Sequence, residues 1–437
     1  MKYSTLMIFK YKGRLLLFFA LLFATAIPAI VNGQISINSP YTRYGVGSLV
    51  ENGLDPRTTA MGYLHYGLQR NDLINPANPA SYASFDTVSF LFDAGLFGVI
   101  TNLRTDQVQD QGSFITLSHL LFGFPVTPWW KSSFGVMPYS LVGYDIYNIQ
   151  DFEETTPVVY NYNGFGGFSQ LYWGNGFSIG KHISVGFNLK YIFGSITRKR
   201  GVGFPDSLEV KNTYVAANVR PRDIFGDIGV QYRANLPKEH YMVVGVDFTP
   251  QTMINSKATY LATTYFGLIN STQYYYDTIE FIPNKLGTWT MPWKIGAGIT
   301  AGKEGYWLAG ADFEWQNWEN YTYYGLSDSL RNSWKISAGG EYVPNPRSTD
   351  GYFQHVAYRL GAHIGKTPIY LKDHQINEVG ITFGMGFPIK KSKSTINFSA
   401  SLGKEGTIND GLIQENFLRF TLGVNVYERW FLKSKYY

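Results

Sequence analysis

Apolar and polar residues alternate along most of this chain, and the alternation has a period of two. Between Ser184 and Phe193 the sequence reads SVGFNLKYIF, with an apolar side chain at every second position from Val185. The same alternation recurs in VVGVDF, KIGAGIT and WLAGADFEWQ further along the chain. Because successive side chains of a strand point to opposite faces, each segment predicts a β-strand with one apolar and one polar face.

The number and composition of these strands predict a barrel. Their polar faces are rich in Gly, Lys, Asp and Glu, which suits a closed wall that meets lipid outside and water inside. Strand candidates follow one another from residue 86 to residue 427, and bacterial single-chain barrels have an even number of strands. The predicted fold is all-β, a transmembrane antiparallel β-barrel of about 14 strands.

Composition favours this barrel over a soluble β-sandwich or β-propeller. Aromatic residues make up 17% of the 437 residues and charged residues 16%, against about 25% charged in ordinary soluble domains. The mean hydropathy of −0.13 is near neutral, as expected when apolar and polar positions alternate. The chain has no cysteine, which excludes disulfides, thiolate metal sites and cysteine nucleophiles.

Residues 1–33 have the features of a secretory signal peptide. A basic start is followed by an apolar run from Leu15 to Ile27, and small residues precede the expected cleavage before Gln34. An uncleaved anchor is the alternative, but the run is short for a bilayer that needs about 20 apolar residues. Without the basic leader the chain is close to neutral, so we expect no nucleic acid partner. Export and amphipathic strands together predict the outer membrane of a Gram-negative bacterium.

Residues 34–85 differ from everything downstream, because four prolines and several turn residues interrupt any long alternation. Asp55 followed by Pro56 is a helix-start signal and predicts a short helix from Arg57 to about Gly67. A segment of about 50 residues before the first strand is too long for a hairpin turn. We predict that it lies inside a wide barrel as a hatch or plug. Residues 86–437 then form the barrel, its extracellular loops and a short C-terminal tail.

Two tracts rich in tyrosine are candidates for aromatic girdles at the membrane surface. They are Tyr274–Tyr276 and residues 321–324, the second beside Trp315 and Trp318. Tyrosine and tryptophan are enriched where a membrane meets water. The alternative is that both tracts lie in extracellular loops.

A repeated Asn-Pro-Ala motif stands just before the first predicted strand. Ala60-Met61-Gly62 precedes INPANPASYASFD at residues 74–86, and weaker matches are MPWKIGAGIT, DFEWQNW and YRLGAHIGKTPI. In these pieces the chain resembles the FadL/TodX family of outer-membrane transporters. The resemblance implies a monomeric 14-stranded barrel plugged by an N-terminal hatch that moves hydrophobic molecules such as long-chain fatty acids. The implied hatch motif is Asn75, Pro76, Ala77, Asn78, Pro79 and Ala80. The stretches NEVGITFGMGFPI and YERWFLKSKYY resemble a divergent branch found in Bacteroidetes-type bacteria.

Charged residues on the polar strand faces are predicted to face the lumen. They are Lys190, Asp247, Lys294, Asp312, Glu314, Lys335, Glu341 and Arg359. The preferred interpretation is structural, since wet barrel interiors hold paired charges, here with each other and with the hatch. The functional interpretation is that Lys294 or Arg359 attracts the carboxylate of an amphiphile, which Arg can bind in a bidentate manner.

The predicted function is passive transport of long-chain fatty acids or other hydrophobic molecules across the outer membrane, along a hatch-gated lateral or luminal path. The alternative is a non-transporting barrel that serves as a structural or accessory subunit of a larger envelope complex. The first predicts membrane lipids and hydrophobic small molecules as partners, and the second predicts envelope proteins. We expect no enzyme, no catalytic residue, no metal and no cofactor, since no Gly-x-Ser-x-Gly motif and no metal-type histidine spacing occurs.

Overall fold

The computed structural model describes residues 39–50, 54–152, 156–204, 210–266, 274–328, 330–349, 351–390 and 392–429. The predicted signal peptide and the tail from residue 430 lie outside the described residues. The side chains of residues 274–276 are also outside, and with them the first predicted tyrosine girdle. No helix in the described part of the chain is long and apolar enough to cross a membrane.

The described chain is mostly β-strand, with a few short helical turns. The strands are β1 Ser48–Leu49, β2 Ser89–Arg104, β3 Gln109–Pro125, β4 Trp130–Phe152, β5 Thr156–Ile179, β6 Ile183–Gly203, β7 Asn212–Pro221, β8 Asp223–Leu236, β9 His240–Thr249, β10 Thr252–Phe266, β11 Tyr274–Met291, β12 Lys294–Lys303, β13 Trp307–Gln316, β14 Thr322–Tyr323, β15 Leu326–Ser327, β16 Ser333–Tyr342, β17 Ala357–Leu371, β18 His374–Pro388, β19 Thr395–Gly406 and β20 Gln414–Arg429. The helices are α1 Pro56–Ala60 and the 3₁₀ turns Pro40–Arg43, Pro79–Ser84, Trp318–Asn320, Tyr352–Gln354 and Asn409–Gly411.

Fourteen of these strands close an antiparallel barrel, which confirms the predicted fold class. Their order around the wall is β2, β3, β4, β5, β6, β8, β9, β12, β13, β16, β17, β18, β19 and β20. The last strand pairs back to the first, from Ser89 opposite Arg429 to Arg104 opposite Gln414. Closure leaves neither the first nor the last strand with a free edge, as a lipid environment requires.

At one end of the barrel, three wall strands (β8, β9 and β12) are each followed or preceded by an extension, and a break of one or two residues separates the two parts. β7 precedes β8, β10 follows β9 and β11 precedes β12, and the extensions pair with one another and with the far end of β6. A proline stands at each break: Pro221, Pro250 and Pro292. Proline has no N–H to donate to a ladder, so these residues explain why the pairing is interrupted at one level.

The two faces of the wall have the predicted polarity. Leu189, Ile228 and Phe313 are 46%, 59% and 45% exposed on the outer face. Their inward-facing neighbours Asn188 and Asp227 are 1% and 2% exposed. The apolar residues therefore form an outer surface suited to lipid, and the polar residues line the interior.

Helix α1 begins where the sequence predicted and ends earlier. Asp55 caps it by accepting a hydrogen bond from the backbone N–H of Arg57 at 2.6 Å. The predicted end near Gly67 is wrong, because Gly62 and Tyr63 both adopt positive φ, at 75° and 70°. At Gly62 a Cβ atom would lie 2.6 Å from the carbonyl oxygen of Ala362, so the backbone turns away from the wall at this point.

The second tyrosine tract is partly buried, which corrects the girdle prediction there. Trp318 and Tyr321 are 2% and 1% exposed and pack in an interior cluster with Trp289 and Phe168. The 3₁₀ turn Trp318–Asn320 and strands β14 and β15 fold the chain back after β13, so these two rings lie in the interior.

The N-terminal residues 54–86 approach the inner wall most closely where the wall carries glycine. A Cβ atom on Gly245 would lie 1.9 Å from the carbonyl oxygen of Tyr66, and one on Gly296 would lie 2.0 Å from the Tyr66 ring. Both distances are far below van der Waals contact, so any larger residue would displace Tyr66.

We predict that Gly296→Val loosens this segment while leaving the barrel formed. The added methyl groups overlap the Tyr66 ring, and overpacking of this kind costs about 1–3 kcal/mol. Trypsin cleavage after Arg70, mapped by mass spectrometry, should become roughly tenfold faster, while the unheated protein keeps its barrel mobility on gels.

The matched control is Ala297→Val, because Ala297 is the next residue and faces outward. It should leave the cleavage rate unchanged. Equal cleavage rates in both variants would contradict the close contact between Tyr66 and the wall.

Candidate functional site in the barrel interior

The Asn-Pro-Ala repeat at residues 75–80 fixes a nearby loop, residues 65–68, by hydrogen bonds. Both belong to the N-terminal segment of residues 54–86. The side-chain amide of Asn75 donates to the carbonyl of His65 at 2.7 Å, and that of Asn78 donates to the carbonyl of Tyr66 at 2.9 Å. Asn78 also caps the 3₁₀ turn Pro79–Ser84 by accepting from the N–H of Ala80. Both asparagines are almost fully buried. They fix residues 65–68 against the turn, so the repeat shapes the surface presented to the wall.

The loop held by the repeat contacts charged residues of β12 and β13. Asp312 accepts hydrogen bonds from the backbone N–H groups of His65 at 2.5 Å and Tyr66 at 2.9 Å. The Tyr66 hydroxyl donates to Glu314, and Lys294 lies 3.7 Å from the same carboxylate. Burial, reinforced by Lys335, lowers the pKa of His65 to about 3. The imidazole of His65 is therefore neutral beside these charges.

A second part of the predicted network joins the segment to β16 and β17. Glu341 lies between two arginines, with Arg70 of the segment at 2.6 Å and Arg359 of the wall at 2.7 Å. Arg359 also donates to the side chain of Asn397 at 2.9 Å. The carboxylate thus accepts from both guanidinium groups, and this arrangement ties the segment to the wall.

The other three predicted residues, Lys190, Asp247 and Lys335, belong to neither of these two groups. Lys190 pairs with Asp227, which also accepts a hydrogen bond from Asn188 at 2.7 Å. Asp247 is 2% exposed in the same region of the wall. The Lys335 ammonium lies 5.3 Å from the centre of the Tyr63 ring. The structure therefore places the eight predicted residues in several groups and does not bring them into one pocket.

The most deeply buried charged cluster is one that the sequence analysis missed. Arg57 of α1 pairs with Asp93 of β2 at 2.7 Å and with Asp55 at 3.0 Å. Asp93 also contacts His119 Nε2 at 3.0 Å, and His119 Nδ1 lies 2.8 Å from the Ser118 hydroxyl. Burial alone would raise the pKa of Asp55, but the Arg57 guanidinium lowers it overall to about 2. Ser118 and His119 are fully buried, so this chain of side chains anchors Arg57.

One interior cavity has a volume of about 190 Å³ and an amphipathic wall. Aromatic and aliphatic side chains form one part of it, including Phe97, Phe114, Leu141 and Phe417. Charged side chains from β13 and from β16 to β20 form the other part. Residues 39–50 close one side, where Ser39 donates to Glu415 at 2.6 Å. The cavity can therefore hold a small apolar group beside fixed charges.

A smaller cavity of about 80 Å³ adjoins the first. The two have lining residues in common, namely Leu49, Val50, Glu314 and Gln316. The smaller cavity is also lined by Phe225 of β8 and Thr249 of β9.

Strand pairing between β8 and β9 is interrupted beside this second cavity, where one backbone hydrogen bond, from the Arg222 N–H to the Asn255 carbonyl at 3.1 Å, remains. The β8–β9 ladder begins only at Ile228 opposite Phe248, and the β7–β10 ladder begins at Pro221 opposite Ser256. Between them, the Asp223 carboxylate accepts from the backbone and side-chain N–H groups of Asn255 at 2.9 and 2.7 Å. A short stretch of β8 thus lacks a strand partner on this side, at the level of the second cavity.

Solved structures show how widely this architecture is shared. The toluene transporter TodX of Pseudomonas putida matches with a TM-score of 0.56 at 15% identity, over 88% of this chain and 100% of that one. The monoaromatic hydrocarbon channel CymD matches with a TM-score of 0.55 at 11% identity, over 88% and 99%. A FadL homologue of Pseudomonas aeruginosa matches with a TM-score of 0.54 at 9% identity, over 86% and 98%. At these identities the comparison establishes the fold.

Sequence comparison gives the family. A search of curated protein sequences finds no match. The BamG family profile matches residues 14–437, which is nearly the whole chain. The chain therefore belongs to the BamG family.

Proposed function

We propose that this protein is an outer-membrane β-barrel that passes small hydrophobic molecules through its lumen. The observation that carries the proposal is the amphipathic cavity of about 190 Å³ inside the barrel. An apolar cavity of roughly 150 Å³ binds benzene in another protein, whereas ligand pockets for larger molecules run to about 300–1,000 Å³. The cavity accordingly suits one ring-sized molecule, or one end of a longer amphiphile such as a fatty acid.

The adjoining second cavity supports a lateral exit through the wall. A molecule in the first cavity passes Leu49 and Val50 to reach the second, and there it meets Phe225 and Thr249. The two residues lack ladder partners only where β8 faces β9, while each pairs with the strand on its other side. Opening the wall between β8 and β9 at this level therefore costs less than opening a fully paired stretch of sheet. An apolar molecule leaving here enters the membrane directly.

Residues 34–85 act in this proposal as the hatch. The close contacts of Tyr66 and the ion pairs of Arg57 and Arg70 attach the segment to several sides of the wall. The Asn-Pro-Ala repeat keeps the loop of residues 65–68 in the shape that meets the wall. A cleaved signal peptide at residues 1–33 and a source among Bacteroidetes-type bacteria remain predictions from the sequence.

The structural comparisons support transport of this kind. TodX is a toluene transporter and CymD a monoaromatic hydrocarbon channel, and both share the fold of this chain. We assign the class of small hydrophobic molecules to this protein on that similarity together with the cavity. The partners in this proposal are membrane lipids and the transported molecules.

We predict that Val50→Trp blocks passage. Val50 lines both cavities, so an indole at this position fills the junction between them. Uptake of toluene into cells or liposomes that carry the variant should fall toward the rate measured without the protein.

The matched control is Val246→Trp, because Val246 is 40% exposed on the outer face and tryptophan is tolerated there. Toluene uptake should stay at the wild-type rate. Normal uptake by Val50→Trp in a correctly folded barrel would contradict the proposed path.

A specific observation also favours the second candidate function, a barrel subunit of a larger envelope complex. β11 runs beyond the barrel, and on its outer side the described residues pair with it only at Trp289 opposite Tyr323. Ile279, Phe281 and Leu286 are 61%, 58% and 75% exposed along this strand. A long exposed edge with apolar side chains is a template for pairing with another chain, which here would be an envelope protein.

The edge of β11 gives a test of the second function. After gentle extraction and native mass spectrometry, the wild-type chain should carry a protein partner in fixed stoichiometry, and Phe281→Lys should lose it because a charge replaces the apolar contact. Toluene uptake should be unaffected by this substitution.

Val108→Lys serves as the control, since Val108 is 64% exposed in the turn between β2 and β3, and neither of these strands pairs with β11. It should keep the partner. A wild-type chain that purifies alone, with bound lipid, would contradict the subunit function.

A further inference from the structure

Three glutamates from neighbouring strands stand in one row on the inner wall. Glu378 of β18 is directly opposite Glu405 of β19, and Glu405 is directly opposite Glu415 of β20. Directly opposite side chains have Cβ atoms about 4.5–5.5 Å apart, and like charges in that arrangement repel each other. All three residues line the 190 Å³ cavity. The row therefore concentrates negative charge at the surface of an internal space.

The described residues compensate this charge only in part. Arg419 pairs with Glu378 at 2.5 Å, and Glu415 accepts a hydrogen bond from the neutral Ser39. No described lysine, arginine or histidine lies within 4.0 Å of the Glu405 carboxylate to form an ion pair. Around the whole cavity, four carboxylates face three cationic side chains, one of them the exposed Lys366. Glu405 and Glu415 thus lack a cationic partner at ion-pair distance.

A buried histidine in the same wall has unused hydrogen-bonding capacity. The His363 side chain is 1% exposed and lines the cavity. Neither of its ring nitrogens has a hydrogen-bond partner among the described residues, and Nε2 lies 3.6 Å from Glu378, beyond hydrogen-bond distance. Buried polar groups are nearly always hydrogen-bonded. A polar group entering the cavity next to Glu378 would supply the missing partner.

Aromatic rings complete the surroundings of the row. Tyr41, Tyr63 and Phe417 line the cavity and are each less than 10% exposed. The Tyr63 ring stands edge-on to His363 at 5.1 Å, and the Arg419 guanidinium lies 3.7 Å from the centre of the Phe417 ring. Aromatic faces attract organic cations, and the apolar part of a ligand would pack against the same rings.

We propose that this cavity binds a small amine in its protonated form. The ammonium group would lie against Glu405 and Glu415, with His363 as a further hydrogen-bonding partner. The ring or alkyl part would occupy the apolar half of the cavity. This inference rests on the proposed function, since it specifies which hydrophobic molecules the lumen prefers.

The test compares three probes that share a phenyl ring and differ in charge. Phenethylammonium, ethylbenzene and 3-phenylpropionate are titrated into the purified full-length protein in a non-ionic detergent. Binding is measured by calorimetry and by tryptophan fluorescence, because Trp318 and Trp334 line the cavity. Phenethylammonium should bind about tenfold or more tightly than ethylbenzene, as expected for a charge-assisted hydrogen bond, and 3-phenylpropionate should bind weakest.

Two isosteric substitutions test whether the glutamate row causes the preference for phenethylammonium. In the double variant Glu405→Gln with Glu415→Gln, the preference for phenethylammonium over ethylbenzene should disappear while ethylbenzene still binds. Because the substitutions remove repulsion, the variant should be at least as resistant to guanidinium chloride as the wild type. Glu304→Gln, at an exposed turn, is the control and should keep the preference.

The outcomes separate this inference from the function on which it rests. Equal binding of phenethylammonium and ethylbenzene to the wild type would overturn the inference and leave transport of hydrophobic molecules standing. A preference that persists in the double variant would also overturn it. Binding of none of the three probes to the folded protein would overturn both.

Discussion

The structure depends on closing every backbone hydrogen bond of the wall inside lipid. An unpaired peptide group in hydrocarbon costs several kcal/mol, so each strand from β2 round to β20 pairs with both of its neighbours, and a stretch without pairing is an exception. The interruption between β8 and β9 is therefore informative. Asp223 supplies a carboxylate to the backbone of Asn255 there, which replaces part of the missing pairing. The interruption lies against an internal cavity, and for this reason the proposed lateral exit is placed there.

A second constraint follows from the period of two in the strands. Several inward positions that meet residues 54–86 are charged and paired with a partner, and others are small enough to let this segment approach the wall. Gly245 and Gly296 admit Tyr66, while Asp312 and Glu314 on the neighbouring strand bind the same residue. Close packing and hydrogen bonding thus act on one loop from two sides. The inner surface and residues 54–86 therefore pack together as one unit. The alternation of apolar and polar residues predicts the wall, but it does not predict this packing.

The sequence predicted the wall well and the interior poorly, for a physical reason. The outward and inward residues of β6 follow from local alternation, which does not depend on any other strand. Which side chains meet across strands depends on register, and register depends on turns and bulges that the pattern does not specify. The row of Glu378, Glu405 and Glu415 is therefore invisible in the sequence. Asp93 did carry a signal, since it is the one charged residue in the apolar stretch SFLFDAGLF, but its partner Arg57 lies in a segment with no periodicity.

The interior charges fall into two kinds, and the difference decides which of them matter for function. Arg57, Asp93 and Glu341 have opposite charges at hydrogen-bond distance, and removing one member of such a pair leaves a buried charge, which destabilises the fold. Glu405 has no described cation at that distance and stands between two further carboxylates on the cavity wall. The ion pairs that attach residues 54–86 to the wall lie elsewhere, and the row meets the N-terminal residues through the hydrogen bond from Ser39 to Glu415. Repulsion among these carboxylates costs little only if a cationic ligand binds in the cavity or if the row carries a proton. If a ligand neutralises the row, a cation binds there more tightly than a neutral molecule of the same shape. If a proton neutralises it, this preference is weaker. Cation binding to the row is therefore the most informative measurement on the lumen.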